Sequence, residues 1–272
     1  MKKKHSKEQK KNLTHVINKI SSDNFDIALT DYNYGHRQNW HKHDEFILTM
    51  NLKGLVREQV KSEDLLLKPF SVGIKPAGVL HTDHFSPKSV RAIRISLSEN
   101  FINELENQAL LDMNWRWTKD LQITRQFLRL VDGLVFDKLA EEDCSAYIYE
   151  IFAALLPHKN KYNYSDAPVW LKTAKENLEE NFTAGVRLTQ LADEANVHPV
   201  YFARQFRRFY GCSVGRYVRR IQFQKSADLL ADSNNSLAGI AIRLGFSDQS
   251  HLTRIFASEF GITPGHFRKF IN

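Results

Sequence analysis

The 272-residue chain reads as an α+β protein, with a strand-built front half and an all-helical back half. Two observations predict this. Near the C-terminus one pattern is written twice, as LTQLADEANVHPVYFARQFRRFYG (Leu188 to Gly211) and LAGIAIRLGFSDQSHLTRIFASEFG (Leu237 to Gly261). Leu188, Leu191, Ala192, Val197, Phe202, Arg204, Phe206 and Gly211 fall on Leu237, Ile240, Ala241, Phe246, Leu252, Arg254, Phe256 and Gly261 once one residue is inserted between His198 and Phe202. From Phe25 to about Leu97 the pattern is different. Short apolar or alternating runs (FDIALTDY, EFILTMNL, LVREQV, LLLKPFSVGI, VRAIRISL) are broken by NLKG, KSED and SPKS, which predicts antiparallel strands of a sandwich or small barrel around a pocket.

The length allows two domains, each large enough to bury its own core. No apolar run approaches the roughly 18 residues of a membrane span, and the N-terminal lysines are followed by LTHVINKI rather than a leader-like apolar stretch. A cytoplasmic protein without a membrane partner is expected. Cys144 and Cys212 stand far apart outside any metal or redox spacing, so no disulfide framework is readable. The net charge of +7 is concentrated at the ends. Residues 1–19 carry seven Lys and one Glu, residues 20–167 carry 17 basic against 21 acidic side chains, and residues 168–272 carry 14 against 9. Basic ends suit a polyanion, because neutralised phosphates release counterions.

Residues 1–20 read as a basic arm, with Leu13, Val16, Ile17 and Ile20 at helical spacing. Residues 21–157 form the expected effector-binding and dimerisation domain. In WHKHDEF, period-2 geometry puts His41, His43 and Glu45 on one strand face. PAGVLH, Pro76 to His81, follows about forty residues later, with His84 close behind. The His-x-His, a later Gly54 and Pro-x-Gly-x-x-His resemble the two motifs of the cupin superfamily. That resemblance implies a β-barrel in which His41, His43 and His81 hold a divalent metal. The family's glutamate position is occupied by Ile47 or Leu48, so Glu45 would have to stand in. No cofactor is required on this reading, and a divalent metal in the barrel is the one open to it. The same histidines equally suit hydrogen bonding to an organic ligand or a satisfied core.

After the strands, ENFINELENQALL, Asp120 to Ala140 and Cys144 to Leu156 carry helical patterning. They hold more apolar positions than packing on a barrel needs, which suits either a homodimer interface or packing within the chain. PHKNKYNYSDAP, spanning Pro157 to Pro168, reads as a linker over 158–168, and 169–272 as the helical domain. There Trp170 to Asn181 forms a first helix. Asn196 breaks the first repeat and Pro199 opens its second helix. Phe202, Phe206 and Phe209 face inward, leaving Val200, Ala203, Arg204 and Arg207 outside. A connector helix from Ser213 or Val214 to Ala231 spans roughly 27 Å, suited to placing two recognition helices in major grooves about 34 Å apart. In the second repeat Gly245 ends one helix, Asp248 caps the next, and Gln249, Ser250, His251, Thr253 and Arg254 face outward with side chains suited to base edges.

This region resembles the DNA-binding domain of the AraC/XylS family of bacterial transcription regulators, and IAIRLGFSDQSHLTRIFASEFGITPGHFR, Ile240 to Arg268, is close to that family's signature. The resemblance implies two helix-turn-helix units joined by a long helix, with base-reading positions at Val200, Ala203 and Arg204 and at Gln249, Ser250, His251, Thr253 and Arg254. Gln222 and Ser226 stand where the family has Arg and Ala, and with Gly239 they predict a less rigid domain. The expected function is a sequence-specific regulator of transcription whose barrel senses a small molecule. Trp40, His41, His43, Arg57, Lys75 and His81 are the candidate pocket for an anionic or hydrogen-bonding effector. Expected partners are double-stranded DNA, the effector, a second copy of the chain and, for an activator, RNA polymerase. The competing readings are a metal-dependent cupin enzyme with an appended DNA-binding domain, and a nucleoid-type binder without effector.

Overall fold

The computed structural model describes residues 14–272 apart from 34, 87–88, 107–113, 137, 156–165 and 186. The basic arm up to residue 13, most of the expected linker and the end of ENFINELENQALL lie outside the described residues. The chain divides into two compact units, residues 1–156 with 257–272, and residues 157–256.

The first unit contains β1 (Thr14–Ser21), β2 (Phe25–Tyr32), β3 (Arg37–His41), β4 (Phe46–Lys53), β5 (Val56–Val60), β6 (Glu63–Leu67), β7 (Val72–Lys75), β8 (His81–Phe85), β9 (Val90–Leu97) and β10 (Arg116–Thr118). Three helices belong to it: α1 (Glu99–Glu106), α2 (Leu121–Phe136) and α3 (Glu141–Leu155). The strands form a six-stranded sheet, β1-β2-β9-β4-β7-β10, and a four-stranded sheet, β3-β8-β5-β6. Every recorded pairing is antiparallel. Central β4 and β9 are buried along most of their length, with Leu48, Met50, Leu52, Ile93 and Ile95 fully enclosed.

Two local expectations are corrected. The helix expected around Val16, Ile17 and Ile20 is the edge strand β1, paired with β2 from Thr14↔Tyr32 to Ser21↔Asp26. A bulge between Val16 and Asn18 breaks the period-2 alternation, so the apolar spacing imitates a helical one. The β-branched Thr14, Val16, Ile17 and Ile20 favour the strand. In WHKHDEF the strand stops at His41, and Glu45 is exposed in the turn to β4. Much of the apolar content of the helices packs within this unit. α2 buries nine residues and α3 five, with the Phe152 ring 5.9 Å from Phe46.

The second unit holds α4 (Val169–Asn181), α5 (Leu188–Glu194), α6 (Pro199–Tyr210), α7 (Val214–Ala231), α8 (Leu237–Arg243) and most of α9 (Gln249–Phe260). The repeat is literal: α5 and α8 have seven residues each, α6 and α9 twelve. The inserted residue lies in the turn, which is 195–198 in the first copy and 244–248 in the second. Its left-handed position is Asn196 (φ 51°) in one and Gly245 (φ 79°) in the other. At Gly245 a Cβ would sit 2.9 Å from the Thr183 backbone, which leaves room only for glycine.

The three residues expected to loosen this unit are each hydrogen-bonded. Gln222 is buried and donates from Nε2 to the Leu244 carbonyl at 2.9 Å, closing the end of α8, and Ser226 is bonded to the Phe223 carbonyl. Gly239 lies in the first turn of α8, not mid-helix, and its N–H donates to the capping Ser236 hydroxyl at 3.0 Å.

The last residues of α9, Ala257–Phe260, and α10 (Pro264–Ile271) belong to the first unit. There Phe70 packs 5.3 Å from the Phe260 ring and 5.2 Å from Phe267. Its φ of 62° is rare for a bulky residue and costs on the order of 1–3 kcal/mol, offset by that packing. The final carbonyls of α10, which have no partner within the helix, accept from Arg91 and Lys53: Arg91 Nη1 to Phe270 O at 2.5 Å and Lys53 Nζ to Ile271 O at 2.9 Å.

Candidate functional site

Two sets of residues carry chemistry. The first is the exposed faces of α6 and α9. Each helix is fixed by a side-chain cap, the His198 ring accepting from Val200 N at 3.3 Å and Asp248 Oδ1 accepting from His251 N at 2.7 Å. Hydrogen bonds to backbone and side chain hold the Asp248 carboxyl below its usual range. Phe202 and Phe206 anchor α6 from below, Leu252 and Phe256 anchor α9, and all four are fully buried. Above them Val200, Arg204 and Arg207 are exposed and Ala203 half-buried; Gln249, Ser250 and Arg254 are exposed and His251 and Thr253 half-buried. His251 is engaged within the turn, its Nδ1 3.1 Å from the Ser247 hydroxyl. Arg204 lies over the Tyr201 ring at 5.7 Å.

The second set lies inside the barrel. β3 and β8 pair His41 opposite His81. Gly78, in the turn before β8, donates its N–H to the His43 carbonyl at 2.8 Å, which ties the turn carrying His43 to the strand carrying His81. The ligating atoms of His41, His43 and His81 come within 4.8 Å of one another. His41 Nδ1 lies 2.8 Å from Asn39 O and His81 Nδ1 3.0 Å from Val79 O. A carbonyl only accepts, so both Nδ1 atoms carry the proton and both Nε2 atoms present a lone pair. Those two Nε2 atoms are buried and have no hydrogen-bond partner among the described residues. Burial, followed by the neighbouring histidines for His43 and by Lys75 for His81, pushes each of these two down to about 4, so they are neutral at ordinary pH. A three-imidazole cluster in which the tautomers of His41 and His81 are fixed fits a transition-metal ion.

Beside the histidines lies a buried polar chain. Strand register sets Glu58 on β5 opposite Asp83 on β8, and period 2 puts Asp83 on the same face as His81. Lys75 Nζ donates to Glu58 Oε2 in a short contact and lies 3.6 Å from Asp83 Oδ1. Trp117 Nε1 donates to Glu58 Oε1 at 2.6 Å. Trp117 packs flat over Gly73, where a Cβ would meet its ring at 2.7 Å. Burial works against the Lys75 ammonium, but the Asp83 and Glu58 carboxylates outweigh it and hold it above the usual amine range. Burial drives Glu58 up to about 7 against the pull of Lys75, whereas the Lys75 ammonium keeps Asp83 low despite its own burial.

A cavity of about 60 Å³ opens onto this chain, lined in part by Tyr32, His43, Asn51, Glu58, Asp83 and Trp117. Among the residues singled out from sequence, His43 and Lys75 line this cavity, and His41 and His81 join His43 in the histidine cluster. Trp40 is 53% exposed, and Arg57 reaches outward to Asp64 at 3.4 Å. Neither lines the cavity. Glu45 is exposed and takes no part in the histidine cluster. Lys75 already serves two carboxylates, so the other cation lining the cavity is Arg94. Asn51, Glu58, Asp83 and Trp117 were not marked by any sequence motif. Alternation in LVREQV would have turned Glu58 inward, and two-residue spacing from His81 would have pointed to Asp83.

Comparison with known proteins bears on the helical half. The model of a helix-turn-helix domain family matches residues 191–269. A probable transcription factor, PqrA of Proteus vulgaris, is 32% identical over 105 residues, 39% of this chain and 82% of that protein. The regulatory protein PocR of Salmonella typhimurium is 24% identical over 184 residues, 62% of this chain and 61% of its own length. The chain thus spans less than two thirds of PocR. Among solved structures, ToxT of Vibrio cholerae aligns over 91% of this chain and 99% of its own at 12% identity, with a TM-score of 0.40. With the doubled helix-turn-helix and its exposed polar helices in place, the chain belongs to the AraC/XylS family of transcription regulators.

Proposed function

We propose that the chain regulates transcription in response to a small occupant of its barrel, with α6 and α9 reading DNA through Arg204, Arg207, Gln249 and Arg254. The observation that carries the sensing half is a set of buried polar atoms with no hydrogen-bond partner among the described residues: Asp83 Oδ1 and Asn51 Nδ2, whose residues line the cavity, and His41 Nε2 and His81 Nε2 in the histidine cluster. Buried polar groups are costly unless satisfied, so these point to something that binds. The size of the space narrows its nature. About 60 Å³ takes a metal ion with a few waters or one compact polar molecule, well short of drug-sized ligands. The three histidines suit a divalent transition metal, which supplies a buried positive charge that a protein can read as present or absent.

We read the barrel as a sensor and not a catalyst because the family is one of transcription regulators. Dimerisation and contact with RNA polymerase belong to this proposal as expectations of a family regulator. The test is selection from random-sequence DNA with the full chain, repeated with Zn²⁺ and with a chelator. An enriched site whose affinity changes between the two conditions is expected. Failure to enrich any sequence would overturn the DNA-reading half, and identical affinities under both conditions would overturn metal sensing.

A further inference from the structure

The geometry points to Asp83 as the fourth protein ligand of a divalent transition-metal ion held by His41, His43 and His81, with Lys75, Glu58 and Trp117 as the hydrogen-bonded chain that aims it. This rests on the reading above that the histidine cluster takes a metal. The two oxygens of Asp83 face different ways. Oδ2 lies 3.6 Å from His81 Nε2 and 4.0 Å from His41 Nε2, whereas Oδ1 lies 3.6 Å from Lys75 Nζ. Ligand atoms about 2.0–2.2 Å from a common ion in a tetrahedral site stand roughly 3.3–3.6 Å apart, so Oδ2 is at that range of His81 and beyond it of His41, and Asp83 would have to close on the cluster that His41, His43 and His81 form by themselves.

The carboxylate is 6% exposed, and its Oδ1 has no hydrogen-bond partner among the described residues. A buried carboxylate that faces two imidazole lone pairs at this range is poorly placed without a cation between them. Lys75 cannot serve as that cation, because its ammonium sits on the Oδ1 side, bonded to Glu58 and over the Trp115 ring at 4.9 Å. Lys75 instead fixes the orientation of Asp83, Glu58 fixes Lys75, and Trp117 fixes Glu58. Such outer partners orient a metal-bound carboxylate. Glu45, exposed in the turn after His43, is excluded by position. Three imidazoles and one carboxylate favour Zn²⁺, Fe²⁺, Co²⁺, Ni²⁺ or Mn²⁺ over Mg²⁺ and Ca²⁺, which take oxygen ligands.

The test is titration of the chelator-treated full chain with Co²⁺, followed by its visible absorption and by metal content after gel filtration. Wild-type protein is expected to bind one Co²⁺ per chain. Asp83→Asn should weaken binding by more than the roughly 10–100-fold that loss of an outer partner costs, Glu58→Gln should fall within that range, and Glu45→Gln should match wild type. Asp83→Cys supplies a gain of signal, since a sulfur-to-cobalt charge-transfer band in the near ultraviolet arises only if position 83 touches the ion. Co²⁺ binding with wild-type affinity in Asp83→Asn, or no such band in an Asp83→Cys chain that binds Co²⁺, would overturn the role of Asp83 and leave the histidine site standing. No Co²⁺ bound by wild type would overturn the metal reading itself.

Discussion

The backbone carbonyl of Asn51 accepts from the N–H of Phe70 at 2.8 Å, while the Asn51 side chain lines the barrel cavity and the Phe70 ring packs on Phe260 and Phe267. Cavity and C-terminal helices are therefore one hydrogen bond apart. Phe70→Ala removes the ring contacts and leaves a void, with an expected cost of about 3–5 kcal/mol. Chemical denaturation should show the loss, and hydrogen exchange should rise first in residues 257–272. Exchange that rises uniformly along the chain would contradict this linkage.

Arg91 joins Asp31, through two contacts of 2.7 Å, to the Phe270 carbonyl. Arg91→Ala is expected to destabilise by about 1.5–3 kcal/mol, the range for hydrogen bonds to charged groups. Arg91→Lys should restore little, because an ammonium cannot hold a carboxylate bidentately and reach a third acceptor in the same plane. Denaturation midpoints of the two variants decide the matter, and full recovery in the Lys variant would contradict it.

Arg204→Ala and Arg254→Ala should each relax preference at particular base pairs, by about 1–3 kcal/mol per lost bidentate contact. Val200 and Ala203 offer only apolar contact, so α9 should show the larger number of affected positions. Competition gel shifts with single-base variants of the selected site measure both effects. Equal weakening at every site would assign these arginines to phosphates instead.

Gln222→Leu should destabilise the chain by about 1–3 kcal/mol, since it leaves the buried Leu244 carbonyl without its donor. Thermal melts of the variant would reveal this. A melt unchanged from wild type would show that the bond contributes nothing.

The metal-free protein should lose stability on acidification. His43 and His81 titrate near 4 when folded, against about 6.5 when unfolded. As pH falls from about 6.5 to about 4, the unfolded chain takes up protons that the folded chain refuses, and the balance shifts toward unfolding. Glu58 acts in the opposite sense. Its folded value of about 7 lies above the ordinary 4.5, so its contribution is present below 4.5 and lost as pH rises through 7. Between about 4.5 and 6.5 two histidines outweigh one carboxyl. Melting temperatures of chelator-treated protein across that window should decline with pH, and Glu58→Gln should steepen the decline. A rise on acidification would contradict the assignment.

The helical half was legible because its signals are local. Caps, glycines and the spacing of Phe202, Phe206, Leu252 and Phe256 lie within one repeat, and the repeat occurs twice. The histidine cluster was legible in part, through His-x-His and Pro-x-Gly-x-x-His. Glu45 was placed on the strand because alternation was carried past His41, where β3 ends. Asp83, Glu58 and Trp117 meet through register between β5 and β8 and through the three-residue β10, relations that no window of sequence contains. Lys75 lines the cavity, but its two carboxylate partners depend on the same register.

The grip of Arg91 and Lys53 on the last two carbonyls before the chain end changes how this molecule can be divided. A boundary drawn at the linker separates a strand half from a helix half in covalent order, yet Phe260, Phe267 and Phe270 pack in the unit that contains Phe70. Recombination that exchanged one half for a relative's would bring Phe70 a foreign set of rings. Successful hybrids should therefore inherit the final sixteen residues together with the barrel, or carry matched replacements at both places.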